Sequence, residues 1–160
     1  MSDGLFLSIF NDIAKEYPEI DSDDRIVDNM CMQLVQYPQA YDILVMPNLY
    51  GDILSDLTSG LIGGLGLLPS ANIGSEYAMF EAVHGSAPDI AGKHIANPTA
   101  LLWSACMMLE HLNEQACAQR IREAVDTVLL QGETLTPDLG GQATTQEYCQ
   151  AVIDALETAE

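Results

Sequence analysis

Positive charge is scarce in this chain: five lysines and arginines stand against 24 aspartates and glutamates, giving a formal net charge of −19. Nucleic-acid binding needs basic groups to neutralise phosphates. Lys15, Arg25, Lys93, Arg120 and Arg122 are too few and too scattered for that, so no nucleic-acid partner is expected. Long apolar runs are missing as well, and no membrane span is expected. The start, Met1-Ser2-Asp3-Gly4, lacks the basic and apolar regions of a signal peptide, so none is expected. Four cysteines, Cys31, Cys106, Cys117 and Cys149, form no C-x-x-C pair. That pattern predicts free thiols in a reducing compartment. G-x-G-x-x-G is absent too, which excludes a Rossmann nucleotide site.

What is present is 160 residues at 48% hydrophobic content, enough for one domain with a core. Leu5, Phe6, Ile9, Phe10 and Ile13 recur at helical spacing, predicting a helix over 4–17 that Pro18 ends. Residues 25–28 read as a short strand and 29–36 as a helix stopped at Tyr37-Pro38. Residues 42–46 are a short apolar run of the buried-strand kind, followed by a helix over 51–62. The glycine-rich stretch 63–74 reads as a connection or hinge rather than a regular element. A strand over 77–83, a loop over 84–98 and a helix over 99–112, apolar almost all round and so expected buried, come next. A helix over 116–130, a loop over 132–142 and a last helix to about Glu157, capped by Thr144 or Thr145 with Glu147 in its first turn, complete the pattern. Alternating strands and helices predict an α/β fold.

The most chemical stretch runs from Pro47 to Asp56, after the apolar run and into a helix. Asp52 and Asp56 are four apart, so a helix puts both carboxylates on one face, where they repel by a few tenths of a kcal/mol. A divalent cation reverses that sign, and Mg2+ or Mn2+ commonly uses one or two carboxylates plus substrate oxygens. From spacing alone the alternative stands beside it: two solvated acids near a helix N-terminus, where the dipole welcomes negative charge.

Asn48-Leu49-Tyr50-Gly51-Asp52-Ile53-Leu54-Ser55-Asp56 resembles the signature of the β-decarboxylating dehydrogenases, the family of isocitrate, isopropylmalate, homoisocitrate and tartrate dehydrogenases. The resemblance continues through Gly63-Gly64-Leu65-Gly66, Ala71-Asn72-Ile73-Gly74, the run from Phe80 to Lys93, and Ala96-Asn97-Pro98-Thr99-Ala100. Upstream, the run from Ile26 to Leu34 is similar too, so the likeness spans essentially the whole chain. In detail it is most similar to NAD-dependent isocitrate dehydrogenases, including the catalytic type of the mitochondrial subunits.

The resemblance implies an α/β, non-Rossmann fold of the isocitrate/isopropylmalate dehydrogenase kind. This chain would be its C-terminal portion, incomplete without the N-terminal part. It implies a small-domain, dimer-interface portion over 1–64 and a large-domain, nucleotide-binding portion over 65–160. The family's metal ligands fall on Asp52 and Asp56, with Asp28 supplied across a dimer interface. Mg2+ or Mn2+ would act there as a Lewis acid on a hydroxy-acid resembling isocitrate. The nucleotide positions fall on Glu81, His84, Gly85, Ser86, Ala87, Pro88, Asp89, Ile90, Asn97 and Asp138. Asp89-Ile90 occupies the position that sets NAD against NADP: a carboxylate accepts bonds from ribose hydroxyls and repels a 2′-phosphate. NADP enzymes of the family tend to show Lys-Tyr there. His94, His111, Trp103 and the helical cysteines are read as packing residues.

The family's proton-transfer lysine, its tyrosine acid and its arginine cluster have no counterpart here, so no catalytic residue is assigned to this chain. Physics points the same way. Isocitrate carries three carboxylates, whose burial needs cationic donors, and none of the three arginines lies near Asp52 and Asp56 in sequence. The expectation is an NAD-dependent isocitrate dehydrogenase part, inactive alone, working in a homo- or hetero-oligomer and completed by a separate N-terminal polypeptide or a longer chain. Isopropylmalate or tartrate as substrate is one alternative, and a non-catalytic regulatory or nucleotide-binding module is another. Bacterial cytoplasm or mitochondrial matrix fits the reduced cysteines, the cytoplasm preferred.

Overall fold

The structure, a computed structural model, describes residues 2–158. The chain folds as two compact units, Met1–Leu61 and Ile62–Glu160. Among the described residues, no helix is long and apolar enough to cross a membrane.

The first unit holds three helices: α1 (Ser2–Ala14), α2 (Val27–Gln36) and α3 (Asn48–Leu61). Met30 and Leu34, four apart on α2, meet Leu54 of α3 to form a small buried core, flanked by Cys31, Tyr41, Met46 and Leu57. Helix α1 buries no residue; its Leu5 is 63% exposed, although Tyr50 of α3 donates a 3.1 Å hydrogen bond to Asp3.

Two expected strands do not form. Residues 25–28 are not a strand: Val27 and Asp28 open α2 instead. The β-branched pair Ile26-Val27 favours a strand locally. Asp28 in the first turn, its carboxylate 2.6 Å from the Asn29 N–H, satisfies an orphan helix donor and suits the dipole. Residues 42–46 have no strand partner, and Ile43 is 83% exposed rather than buried. An extended run becomes a strand only where a neighbour takes up its N–H and C=O groups. The only sheet among the described residues lies in the other unit.

In the second unit, β1 (Pro69–Ile73) and β2 (Ala78–Ala82) pair antiparallel, Pro69 opposite Ala82 and Ile73 opposite Ala78. The stretch 63–74 is therefore not all connection. Pro69 takes the first strand position, where its missing N–H is tolerated. The Gly74 N–H closes the hairpin on the Tyr77 carbonyl at 2.9 Å. Helix α4 (Thr99–His111) packs on this hairpin and on α5 (Gln115–Gln131), which packs on α6 (Thr145–Thr158). Ser104 of α4, buried, shares its hydroxyl proton between the carbonyls of Glu81 (2.7 Å) and Ala100 (2.9 Å), tying β2 to the helix. Helix α4 is not buried all round, as its composition suggests: Leu101 is 59% exposed, because hairpin and α5 cover only part of its circumference.

The core of this unit is Ala124, Val125 and Val128 of α5 against Tyr148 and Val152 of α6, with Leu102, Trp103 and Leu135 packed around them. Full burial of each such valine stabilises by roughly 1.5–3 kcal/mol. Trp103 thus packs as expected, and His111 lies against the Phe80 ring at 5.6 Å. Helix α5 ends at Gly132 in the left-handed conformation (φ 70).

Thr144 caps α6. Its hydroxyl accepts the Glu147 N–H at 3.2 Å, and Glu147 accepts both the Thr144 N–H (2.7 Å) and its hydroxyl (2.8 Å). This is a reciprocal capping box. The Thr144 N–H, then its hydroxyl, hold the Glu147 carboxyl below the ordinary range. A depressed carboxylate pKa contributes stability that is present above the unfolded value, ~4.3, and is lost as pH falls through the folded one. The stability advantage of the chain over its Glu147→Gln variant is therefore expected at neutral pH and should vanish on acidification through that window. Thermal midpoints against pH check this; an advantage independent of pH would refute it.

Candidate functional site

In the first unit, Asp52 and Asp56 both lie on α3 and both are exposed. The helix begins just after Pro47, whose carbonyl accepts the Gly51 N–H at 3.0 Å. Residues four apart on a helix place their Cβ atoms ~5–6 Å apart, within the span of one cation. The Asn48 amide donates to Asp52 at 3.0 Å and orients that carboxylate, while the Asp56 side chain has no partner among the described residues. Asp28 is exposed in the first turn of α2. Among the described residues, no three His, Cys, Asp or Glu side chains gather into a metal-holding group. The donor set within the chain is thus a pair of oxygen ligands, which suits a hard divalent cation completed by substrate or by a further carboxylate.

In the second unit, 41 residues of separation close between Asn97 and Asp138: the Asn97 amide N–H donates to the Asp138 carboxylate at 2.9 Å. The Asn97 side-chain oxygen accepts the Thr99 N–H at 2.9 Å, which fixes the amide's orientation and opens α4. One amide N–H and one oxygen lone pair of Asn97 stay available, a donor and an acceptor side by side. Gly66 backs the pair closely: a Cβ there would stand 3.1 Å from the Asp138 carboxylate and 3.4 Å from the Asn97 Cβ. A Cβ there would press on the pair, which would have to give by a few tenths of an ångström.

Apart from Glu81 on β2, the other expected nucleotide residues lie along the loop before Asn97. His84 is exposed, its Nδ1 3.0 Å from the Gly85 carbonyl. Gly85, Ser86, Pro88 and Asp89 are exposed and Ile90 is half-buried. Ala87, at φ 40, holds a left-handed conformation uncommon for a residue with a Cβ, and its carbonyl accepts the Ile90 N–H at 3.1 Å. The Asp89 carboxylate has no protein partner among the described residues. Glu81 on β2 accepts the Asn72 amide at 3.0 Å across the hairpin. No hydrogen bond or ion pair among the described residues links Glu81, His84, Ser86 or Asp89 to the Asn97–Asp138 pair. Lys93 is the one lysine or arginine in the segment 84–97.

Three residues have roles or features that the motifs leave unassigned. Gly66 touches the pair, Thr99 orients Asn97, and Thr136 is fully buried with a hydroxyl that has no partner. The Asn97-Pro98-Thr99 spacing carries a usable signal, since an asparagine accepting the N–H two residues on is an Asx turn. Gly66 stands in the quoted Gly63-Gly64-Leu65-Gly66 motif, but its contact with the pair comes from the structure, and Thr136 carries no sequence signal.

The family model for isocitrate/isopropylmalate dehydrogenase matches residues 1–156. The isocitrate/homoisocitrate dehydrogenase of Thermus thermophilus is 56% identical over 158 residues, covering 99% of this chain and 47% of that protein. The mitochondrial isocitrate dehydrogenase [NAD] catalytic subunit 5 of Arabidopsis thaliana is 54% identical, covering 97% of this chain and 42% of its own length. The crystal structure of isocitrate dehydrogenase from Methylococcus capsulatus superposes with a TM-score of 0.88 at 56% identity, over 96% of this chain and 46% of that one. The chain therefore spans less than half the length of the relatives it matches. Matched along all but its last residues by one family model, and superposing on that crystal structure at a TM-score of 0.88, the chain belongs to the isocitrate/isopropylmalate dehydrogenase family.

Proposed function

We propose that these residues supply the metal carboxylates and the nucleotide-holding surface of an NAD-dependent dehydrogenase converting isocitrate and NAD+ to 2-oxoglutarate, CO2 and NADH. The observation that carries the reading is the pair Asp52 and Asp56, two exposed carboxylates one turn apart on α3. The names of relatives more than half identical support the substrate and the cofactor. The chemistry supplied by bound Mg2+ or Mn2+ would be Lewis acidity toward a substrate oxygen, and by bound NAD+ the acceptance of hydride. Asp52, steadied by Asn48, and Asp56 would hold the cation, with Asp28 of a second copy or of a related subunit completing its ligands. Asn97 and Asp138 would hold the adenine end, and the loop from His84 to Ile90 the adenosine ribose.

On this reading residues 1–64 belong to the small, dimer-forming domain and 65–160 to the large one, a division close to that between the units Met1–Leu61 and Ile62–Glu160. The substrate's carboxylates need cations. The segment 47–63 contains none, so they would come from outside these residues, in a longer chain or a partner polypeptide. The apolar run at 42–46 would find its strand neighbours in the same place. Four free cysteines suit a reducing compartment, bacterial cytoplasm or mitochondrial matrix. The run from Gly64 to Ala71 has some isopropylmalate dehydrogenase character, and a second reading gives isopropylmalate as the substrate.

Calorimetric titration with NAD+ and NADP+ tests the nucleotide half. NAD+ is expected to bind more tightly, because the unpartnered Asp89 carboxylate can accept ribose hydroxyls and repels a 2′-phosphate. The Asp89→Asn chain should narrow that preference. Tighter binding of NADP+ by the unaltered chain would overturn the assignment.

A further inference from the structure

We propose that Thr145 is a positioning residue for Asn97, and so for nucleotide binding. The functional consequence rests on the nucleotide role proposed for Asn97. Thr145, in the first turn of α6, directs both its donors to the backbone just upstream of Asn97. Its N–H donates to the His94 carbonyl at 2.8 Å and its hydroxyl to the Ala96 carbonyl at 2.5 Å. His94 is held at φ 57, a conformation that residues with a Cβ seldom adopt unless the surroundings impose it. The bond from Thr145 is the constraint visible on the His94 carbonyl. A helix's first N–H groups lack intrahelical partners; here one of them restrains a loop.

The same turn of α6 acts on the other side of Asn97. Tyr148 follows Thr145 by three residues, so both face one side of the helix. The Tyr148 hydroxyl pairs with that of Thr99 at 2.7 Å in the buried interior, and the Thr99 N–H orients the Asn97 amide. Asn97 is thus bracketed by one helical turn before and behind. Tyr148 is a core residue whose loss disturbs packing. Thr145 is half-buried and outside the core cluster, so its contribution can be separated from stability. Thr144 provides the control: it caps the same helix through Glu147 and makes no hydrogen bond to residues 94–97.

The test uses the full 160-residue chain and three variants: Thr145→Val, Thr145→Ser and Thr144→Ala. Two readouts are taken. One is the side-chain amide signal of Asn97 in nitrogen–proton correlation spectra, assigned with Asn97→Asp. The other is the NAD+ dissociation constant. Thr145→Val should shift the Asn97 amide toward the averaged positions of a free side chain and weaken NAD+ binding about tenfold. Thr145→Ser, which keeps the hydroxyl, should restore both. Thr144→Ala should lower the melting temperature while leaving the Asn97 signal in place and the affinity within about twofold. An unmoved Asn97 signal and unchanged affinity in Thr145→Val would overturn the proposal. So would an equal loss in Thr144→Ala, which would make the effect one of helix stability alone. If the unaltered chain does not bind NAD+, the nucleotide reading fails, and the Asn97 signal by itself decides whether Thr145 positions that residue.

Discussion

A Gly141→Ala chain is expected to lose about 3 kcal/mol or more of the stability of its second unit. Gly141 sits in the loop between α5 and α6, where a Cβ would fall on the Leu135 carbonyl group and 2.7 Å from the Leu135 Cβ. The obstacle cannot swing aside as a flexible side chain would. The Leu135 carbonyl accepts the Ala143 N–H at 2.9 Å, and the Gly141 N–H donates to the Thr136 carbonyl at 3.1 Å. Relieving the collision means breaking this crossing of the loop, and Asp138 rides on the loop between the two bonds. Neighbouring Gly140 gives the comparison. It lies at φ 83 with nothing near a would-be Cβ, so Gly140→Ala should cost only the backbone penalty, about 1 kcal/mol. Urea denaturation of both variants measures the difference. Equal losses would mean that the loop is looser than its hydrogen bonds indicate.

Asp56→Asn should act with opposite signs on stability and on cation binding. Without metal, removing one of two like charges four apart on α3 relieves a repulsion of a few tenths of a kcal/mol, so the variant should melt at the same temperature or slightly higher. With metal, a chain offering only two oxygen ligands loses one of them, and Mn2+ affinity should fall about tenfold or more. Asp56 makes the cleaner case, because Asp52 also takes the Asn48 amide near the start of the helix. Electron paramagnetic resonance titration of free Mn2+, beside melting curves with and without the ion, separates the two signs. A variant that melts lower and still binds Mn2+ as the parent does would show these carboxylates to be solvated surface charges.

The helices are legible in the sequence because each carries its own signals. Leu5, Ile9 and Ile13 mark α1, Pro38 follows the end of α2, and Gly132 stops α5. Thr144 with Glu147 announces α6 as a capping box. Strands carry less local information. The run 42–46 has the composition of a buried strand, yet Ile43 stands in solvent, since pairing is a property of the neighbour as much as of the run. The reverse holds at Pro69–Ile73, where glycine and proline nearby suggest a connection and the cross-strand partner makes a strand. At the candidate site, the i, i+4 spacing of Asp52 and Asp56 is readable from their numbers alone. The resemblance already places Asn97 and Asp138 at one nucleotide end, but spacing alone does not: their hydrogen bond, and the contact of Gly66 with the pair, arise only once α4 and the loop before α6 bring three distant segments together.

The proposed activity can be tested without waiting for a partner. In a chimera, these residues replace the matched region of the Thermus thermophilus isocitrate/homoisocitrate dehydrogenase, which is 56% identical to them. With isocitrate, Mn2+ and NAD+, the chimera should form NADH, prefer NAD+ to NADP+, and lose about a hundredfold or more of its turnover on Asp56→Asn. Undiminished turnover in the Asp56→Asn chimera would contradict a metal-ligand role for the carboxylates of α3.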